Sequence, residues 1–209
     1  MSAQIGTADL PGHGTTATSS GGPAPVRITV AYGFWIFLLS DIIMFSALFA
    51  SYAVLSGQTA GGPGGRELFE LRHVGIETLC LLLSSYTCGL GLLAVERRHM
   101  RGFYVAFALT FVLGATFLGL EISEFAGMVA QGAGPSRSAF LSAFFSLVGL
   151  HGAHVTAGLI WLGFMVAQTA VRGPRDFVRR RLLCFSLFWH ALDIIWVALL
   201  TLVYLMGAH

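Results

Sequence analysis

Five long apolar runs, each cut off by a turn or a charge cluster, constrain this chain more than any other feature. They are Ala31–Leu55, Val74–Val95, Phe103–Val129, Ala139–Val171 and Leu182–Met206. A helix needs about 20 mostly apolar residues to cross a bilayer, and every run is that long. In hydrocarbon only a helix or a closed barrel satisfies its own backbone. The runs are too long and too continuously apolar for barrel strands, so the expected fold is all-α, an integral membrane bundle of five transmembrane helices. Composition agrees: 56% of the residues are hydrophobic and 11% are charged, where a soluble domain carries about a quarter charged. A net charge of +2 is no basic field for nucleic acid.

The interruptions carry the topology. Gly57–His73 contains Gly61-Gly62-Pro63-Gly64-Gly65, Glu96–Gly102 carries Arg97, Arg98 and Arg101, Ala130–Ser138 is built around Gly134-Pro135, and Arg172–Arg181 holds five arginines. Such segments stop helices and expose their ends. All twelve basic residues are arginine. Nine fall on the side of the N-terminal tail and of the second and fourth connections; Arg66, Arg72 and Arg137 fall on the other. The positive-inside bias predicts a cytoplasmic N-terminus and a periplasmic C-terminus. Residues 1–27, rich in Gly, Ser, Thr and Pro, read as a disordered tail without a cleavable signal, ahead of a membrane domain over 28–209. The connections are too short for a soluble domain, so any chemistry lies in the bundle or comes from partners. Cys80, Cys88 and Cys184 lack metal or disulfide spacing and read as small packing residues.

The informative groups are the polar ones at membrane depth, where a carboxylate costs about 2.5–3.5 kcal/mol to insert. Glu77 lies one turn inside its span and reads as an interfacial residue near a helix N-terminus. Glu121 and Glu124 share a face of the third helix, and His151 and His154 share one of the fourth. At 1.5 Å per residue, Glu121 sits about 27 Å and His154 about 25 Å from the arginine-rich side. They form an expected Glu/His layer in which each carboxylate accepts a bond from an imidazole. A satisfied structural network, a proton-carrying chain and a metal site are the three readings; no HExxH or paired ExxH pattern supports the last. His190, Asp193, Trp189 and Trp196 fall on one arc of the fifth helix at a depth like that of Asp41, giving a second expected layer. Asp41 has no partner within its own helix, so it makes either an interhelical bond or a proton-handling site. Gly149, Ala153 and Ala157, with Ser84, Cys88, Ser85 and Gly89, are small residues at four-residue spacing that suit close helix approach. The seventeen Phe residues read mostly as lipid- or partner-facing bulk.

Three stretches resemble a known family. Tyr32-Gly-Phe-Trp-Ile-Phe-Leu-Leu-Ser-Asp41, Gly149-Leu-His-Gly-Ala-His-Val155 and Phe188-Trp-His-Ala-Leu-Asp-Ile-Ile-Trp196 are similar to subunit III of the haem-copper respiratory oxidases, over about residues 31–207. The five-helix length, Gly134–Phe145 and Val203–Gly207 look most like the cytochrome bo-type, ubiquinol-oxidising branch. The resemblance implies a non-catalytic subunit of a bacterial inner-membrane complex. It implies no redox centre, metal or cofactor on this chain, with haem, copper and ubiquinol on subunit I, subunits II and IV alongside, and phospholipid bound among the helices. It also implies support for assembly, stability and proton uptake. The family's intramembrane acid maps onto Asp41, where many cytochrome c oxidase members carry Glu; the histidines of HGxHV map onto His151 and His154, the WHxxD pair onto His190 and Asp193, and the acid near the end of the third helix onto Glu124. The seven-helix form has two further helices at its start, so a partner chain is expected to cover that side. The competing readings are subunit III of a cytochrome c oxidase, an independent proton transporter, and a small metal-dependent membrane enzyme. No inverted repeat or broken helix of the transporter kind is visible.

Overall fold

A computed structural model describes residues 26–59, 61, 71–173 and 176–205. Its helices are α1 (Val26–Leu55), α2 (Leu71–Glu96), α3 (Met100–Ala130), α4 (Ala139–Arg172) and α5 (Asp176–Leu199), the last continuing as a π-helical turn over Leu200–Leu205. There is no strand among the described residues. All five helices are long and apolar enough to cross a membrane.

Four of the helices start earlier than the apolar runs suggest. Arg179, Arg180 and Arg181, expected in a connection, lie in the first turns of α5, and Arg101 in that of α3. Arginine is a good helix former, and its long stem lets the charge reach water while the helix continues beyond the hydrocarbon. α1 likewise begins at Val26, inside the stretch assigned to the tail; residues 1–25 lie outside the described residues, as does most of the first connection.

Helix ends follow local chemistry. At the start of α4, the Ser138 hydroxyl accepts from the Leu141 N–H at 3.2 Å, satisfying one of the donors a helix leaves unpaired. At its end Gly173 takes φ +72°, and its N–H donates to Thr169 O. Between α2 and α3 the chain reverses in three residues, with Arg98 at φ +55° and the His99 N–H donating to Ala94 O at 2.9 Å.

α2 packs most extensively on α3, and α5 contacts α1, α2 and α4. α1 packs on α4 and α5, and α3 packs on α4 as their short connection implies. Burial is uneven: 11% of the apolar stretch of α1 is inside the chain, against 50% of that of α5. The core is largely aromatic. Phe45, Phe103, Phe107, Phe117, Phe140, Phe144, Phe185 and Phe188 are buried, which corrects the reading of phenylalanine as outward bulk. The close-approach positions also differ from those expected. Ala153 and Ala157 are exposed, while Gly152 and Gly158 bring α4 against its neighbours: an added Cβ would lie 2.6 Å from Glu121 Oε1 and 2.8 Å from Trp189. Ser84 and Cys88 are buried as small packing residues should be.

Candidate functional site

Two polar sites form, with memberships that differ from the two expected layers. The first lies between α1 and α4. Asp41 Oδ2 is 3.9 Å from His154 Nε2, and the two side chains are 15% and 19% exposed. Asp41 therefore finds its partner on another helix. The other imidazole nitrogen, Nδ1, lies 2.8 Å from Leu150 O. A carbonyl can only accept, so Nδ1 carries the hydrogen, and Nε2 is left to face the carboxylate. The contact joins α1 to α4 across the edge of the bundle. Phe45, one turn beyond Asp41, places its ring edge-on to both His154 and His151, at 5.4 and 6.4 Å, and so sets the distance between α1 and α4.

The second site is interior, among α2, α3, α4 and the end of α5. Glu77 is fully buried and Glu121 is 2% exposed. Both Glu77 oxygens and Glu121 Oε2 lack a hydrogen-bond partner among the described residues. The expectation of an interfacial Glu77 is thus overturned. α2 starts three residues earlier than its apolar run, which puts Glu77 on the seventh residue of the helix, facing α3 rather than the helix end. His73, one turn nearer the surface, has Nε2 3.8 Å from Glu77 Oε1. Glu124 accepts a hydrogen bond from the Tyr204 hydroxyl at 3.2 Å. Trp196 binds this group together: its indole N–H donates to Thr78 Oγ1 at 3.0 Å, beside Glu77, and its ring meets Phe117 at 4.7 Å and Tyr204 at 6.2 Å.

The expected Glu/His bonds do not form. His151 is fully buried, but its ring lies tilted against Trp196 at 5.3 Å and meets Phe117 edge-on at 5.8 Å. Its two nitrogens have no hydrogen-bond partner among the described residues. Glu121 instead lies over the bare backbone at Gly152, where no side chain displaces it. Three aromatic rings around one imidazole leave no room for the carboxylate. The second expected layer also separates. Trp189 and Trp196 are buried, whereas His190 is exposed. Asp193 is turned toward Ser85 on α2, away from Asp41, which faces α4. Among the described residues, no three His, Cys, Asp or Glu side chains converge as metal ligands do.

A sequence profile for cytochrome c oxidase subunit III matches residues 13–208. The Pseudomonas aeruginosa protein named cytochrome bo(3) ubiquinol oxidase subunit 3 is 50% identical over 177 residues, 85% of each chain. The Bacillus subtilis protein named quinol oxidase subunit 3 is 45% identical over 175 residues, 84% of this chain and 86% of that one. The cytochrome c oxidase subunit 3 of a Bacillus strain is 41% identical over 175 residues, 84% of each chain. This chain belongs to the cytochrome c oxidase subunit III family. It is a multi-pass membrane subunit of the haem-copper oxidase type, as the three quoted stretches implied.

Several residues of this subunit III chain are structurally central yet escaped the sequence reading. Tyr204 is one: the π turn widens the end of α5 and carries the ring inward onto Phe144 and Trp196. A tyrosine in an apolar run was the available signal, since a buried phenol seeks a hydrogen-bond partner. The Ser84–Thr87–Thr110 seam between α2 and α3 is another. The Thr87 and Thr110 hydroxyls lie 2.9 Å apart, and the Trp189 N–H donates to Ser84 Oγ at 3.0 Å.

Proposed function

We propose that this chain is the non-catalytic subunit III of a proton-pumping terminal ubiquinol oxidase of the aerobic respiratory chain. It lies in the bacterial inner membrane with its N-terminus in the cytoplasm. The observation that carries the reading is the near full-length identity to proteins named as quinol oxidase subunits, 50% in one case against 41% for one named as a cytochrome c oxidase subunit. In this reading haem, copper and ubiquinol belong to subunit I, against which the chain packs, with subunits II and IV in the same complex and phospholipid among the helices. The chain supports assembly and stability.

Asp41 and His154 are its proton-related pair. They are the one His–carboxylate contact of the described residues that bridges two helices, and it lies on the least buried helix of the bundle. The arginine bias supports a cytoplasmic position for the turn between α2 and α3 and for the start of α5.

Membranes from cells lacking this chain test the assignment. Oxygen uptake driven by ubiquinol is expected to fall and to return on complementation, with uptake driven by reduced cytochrome c unchanged. Loss of the cytochrome c-driven rate alone would make the chain a cytochrome c oxidase subunit. No change in either rate would overturn the assignment.

A further inference from the structure

Glu77 stands apart from the pair on α1 and from the residues the family resemblance singled out. It is a carboxyl group with no exposed surface, and neither oxygen has a hydrogen-bond partner among the described residues. It points into a group of acids. From its own helix it is faced by His73 and Cys80, from α3 by Glu121 and Glu124, and from the end of α5 by Tyr204. The charges that act on it most are those of Glu124 and Glu121. Neighbouring negative charges at this depth repel one another with little water to screen them. The ligand that relieves this is a cation small enough to need no ligand cage, and a proton is the smallest.

An entry route is present. His73 sits one turn closer to the end of α2 and is partly exposed, with its Nε2 3.8 Å from Glu77 Oε1. We propose that Glu77, walled by Glu121, Glu124 and Tyr204, is a proton-binding site that exchanges with the aqueous phase through His73, at the membrane face where α2 begins. His73 takes a proton from water on its other ring nitrogen, Nδ1, and releases one from Nε2, which is itself buried beside Glu77. A small rotation or one bridging water closes the gap, and the proton passes to the carboxylate. Imidazolium and carboxylate become neutral imidazole and carboxylic acid, so charge and atoms balance without any co-reactant. In the proposed topology this face is the periplasmic one. The site lies among α2, α3 and α5, whereas the Asp41–His154 pair joins α1 to α4.

Infrared difference spectroscopy on the full chain, purified with whatever it assembles with, tests this directly, and no oxidase activity is needed for the readout. Between acid and alkaline bathing buffers, a carbonyl-stretch band of protonated carboxyl that shifts in D2O is expected. Glu77→Gln should remove it, and Glu77→Asp, which keeps the acid, should move it. His73→Ala should slow its exchange with D2O by about a hundredfold or more, the lower end of the range for losing a positioned proton carrier. Absence of the band from the parent protein overturns the site, which covers the case in which a variant does not accumulate. So does a parental band left unmoved by both Glu77 variants. Exchange at the parental rate in His73→Ala overturns the route.

Discussion

α1 and α5 are both apolar helices, yet the chain treats them differently. α5 turns half of its apolar stretch inward, and its tryptophans fix the bundle through indole hydrogen bonds to Ser84 and Thr78 on α2. α1 leaves Tyr32, Trp35, Ile43 and Val54 exposed and is held to the rest by Leu38, Phe45, Tyr52 and the Asp41–His154 contact. The polar groups divide in the same way. Those packed around α5 lie among aromatic rings, with only His73 partly exposed beside Glu77, and the pair on α1 is direct and partly exposed on both sides. In a membrane, apolar area alone gives little drive between helices because lipid is as apolar as leucine. Shape, aromatic packing and a few hydrogen bonds therefore decide which helices form the centre and which stays at the edge.

The sharpest way to break this contrast is to truncate one tryptophan on each helix. Trp196→Ala should cost about 3–5 kcal/mol, the range for emptying a large buried site. Trp35→Ala, on the exposed face of α1, should change stability by less than about 0.5 kcal/mol. Unfolding in detergent reads both, and equal losses would abolish the distinction.

Next in size is Gly152→Ala, which drives a methyl group into the Glu121 carboxylate. It should cost about 1–3 kcal/mol as overpacking does. Gly163→Ala, with no atom within 4 Å, should be neutral or stabilising by up to about 1 kcal/mol. A Gly152→Ala protein as stable as its parent would mean that the Glu121 side chain swings clear of the added methyl and is not held where it lies.

Much of the architecture is legible in the sequence, and for a physical reason. Spanning a bilayer is a requirement on length and hydropathy, so the five helices could be counted without knowing what each one touches. Facing was not legible. The helices are apolar on nearly every side, and no stripe marks the inward face as it would in water. Hence phenylalanines that read as outward bulk lie in the core, and Glu77, which reads as interfacial, is buried inside the bundle. Asp41, Glu121, Glu124 and His151 could be recognised as deep polar groups by depth alone. Their partners depended on helix rotation and on one π turn. No periodic pattern announces that turn, so the Tyr204–Glu124 bond went unseen.

Tyr204→Phe isolates that bond. Removing the hydroxyl while keeping the ring should cost about 1 kcal/mol, the usual net value of one hydrogen bond, with the aromatic packing on Phe144 intact. A loss as large as that of Trp196→Ala would place the weight of the α5 end on the phenol rather than on the rings.

The smallest effect is expected at the edge. Asp41→Asn should lower the stability of the chain by no more than about 1 kcal/mol, as is usual for a polar contact between helices in a membrane, here at 3.9 Å. With His154→Gln as the second change, a double-mutant cycle should return a coupling of the same small size. A coupling of several kcal/mol would make this contact a structural keystone, and α1 would no longer be an edge helix held mainly by packing.

As proposed, this chain works as a subunit inside an oxidase whose haem and copper lie on another chain. Gentle detergent purification through a tag on this chain tests it most directly. Haem absorbance and ubiquinol-driven oxygen consumption should be recovered with the tag. Recovery of a lone 22.3 kDa protein, with the membrane's oxidase activity left behind intact, would contradict it.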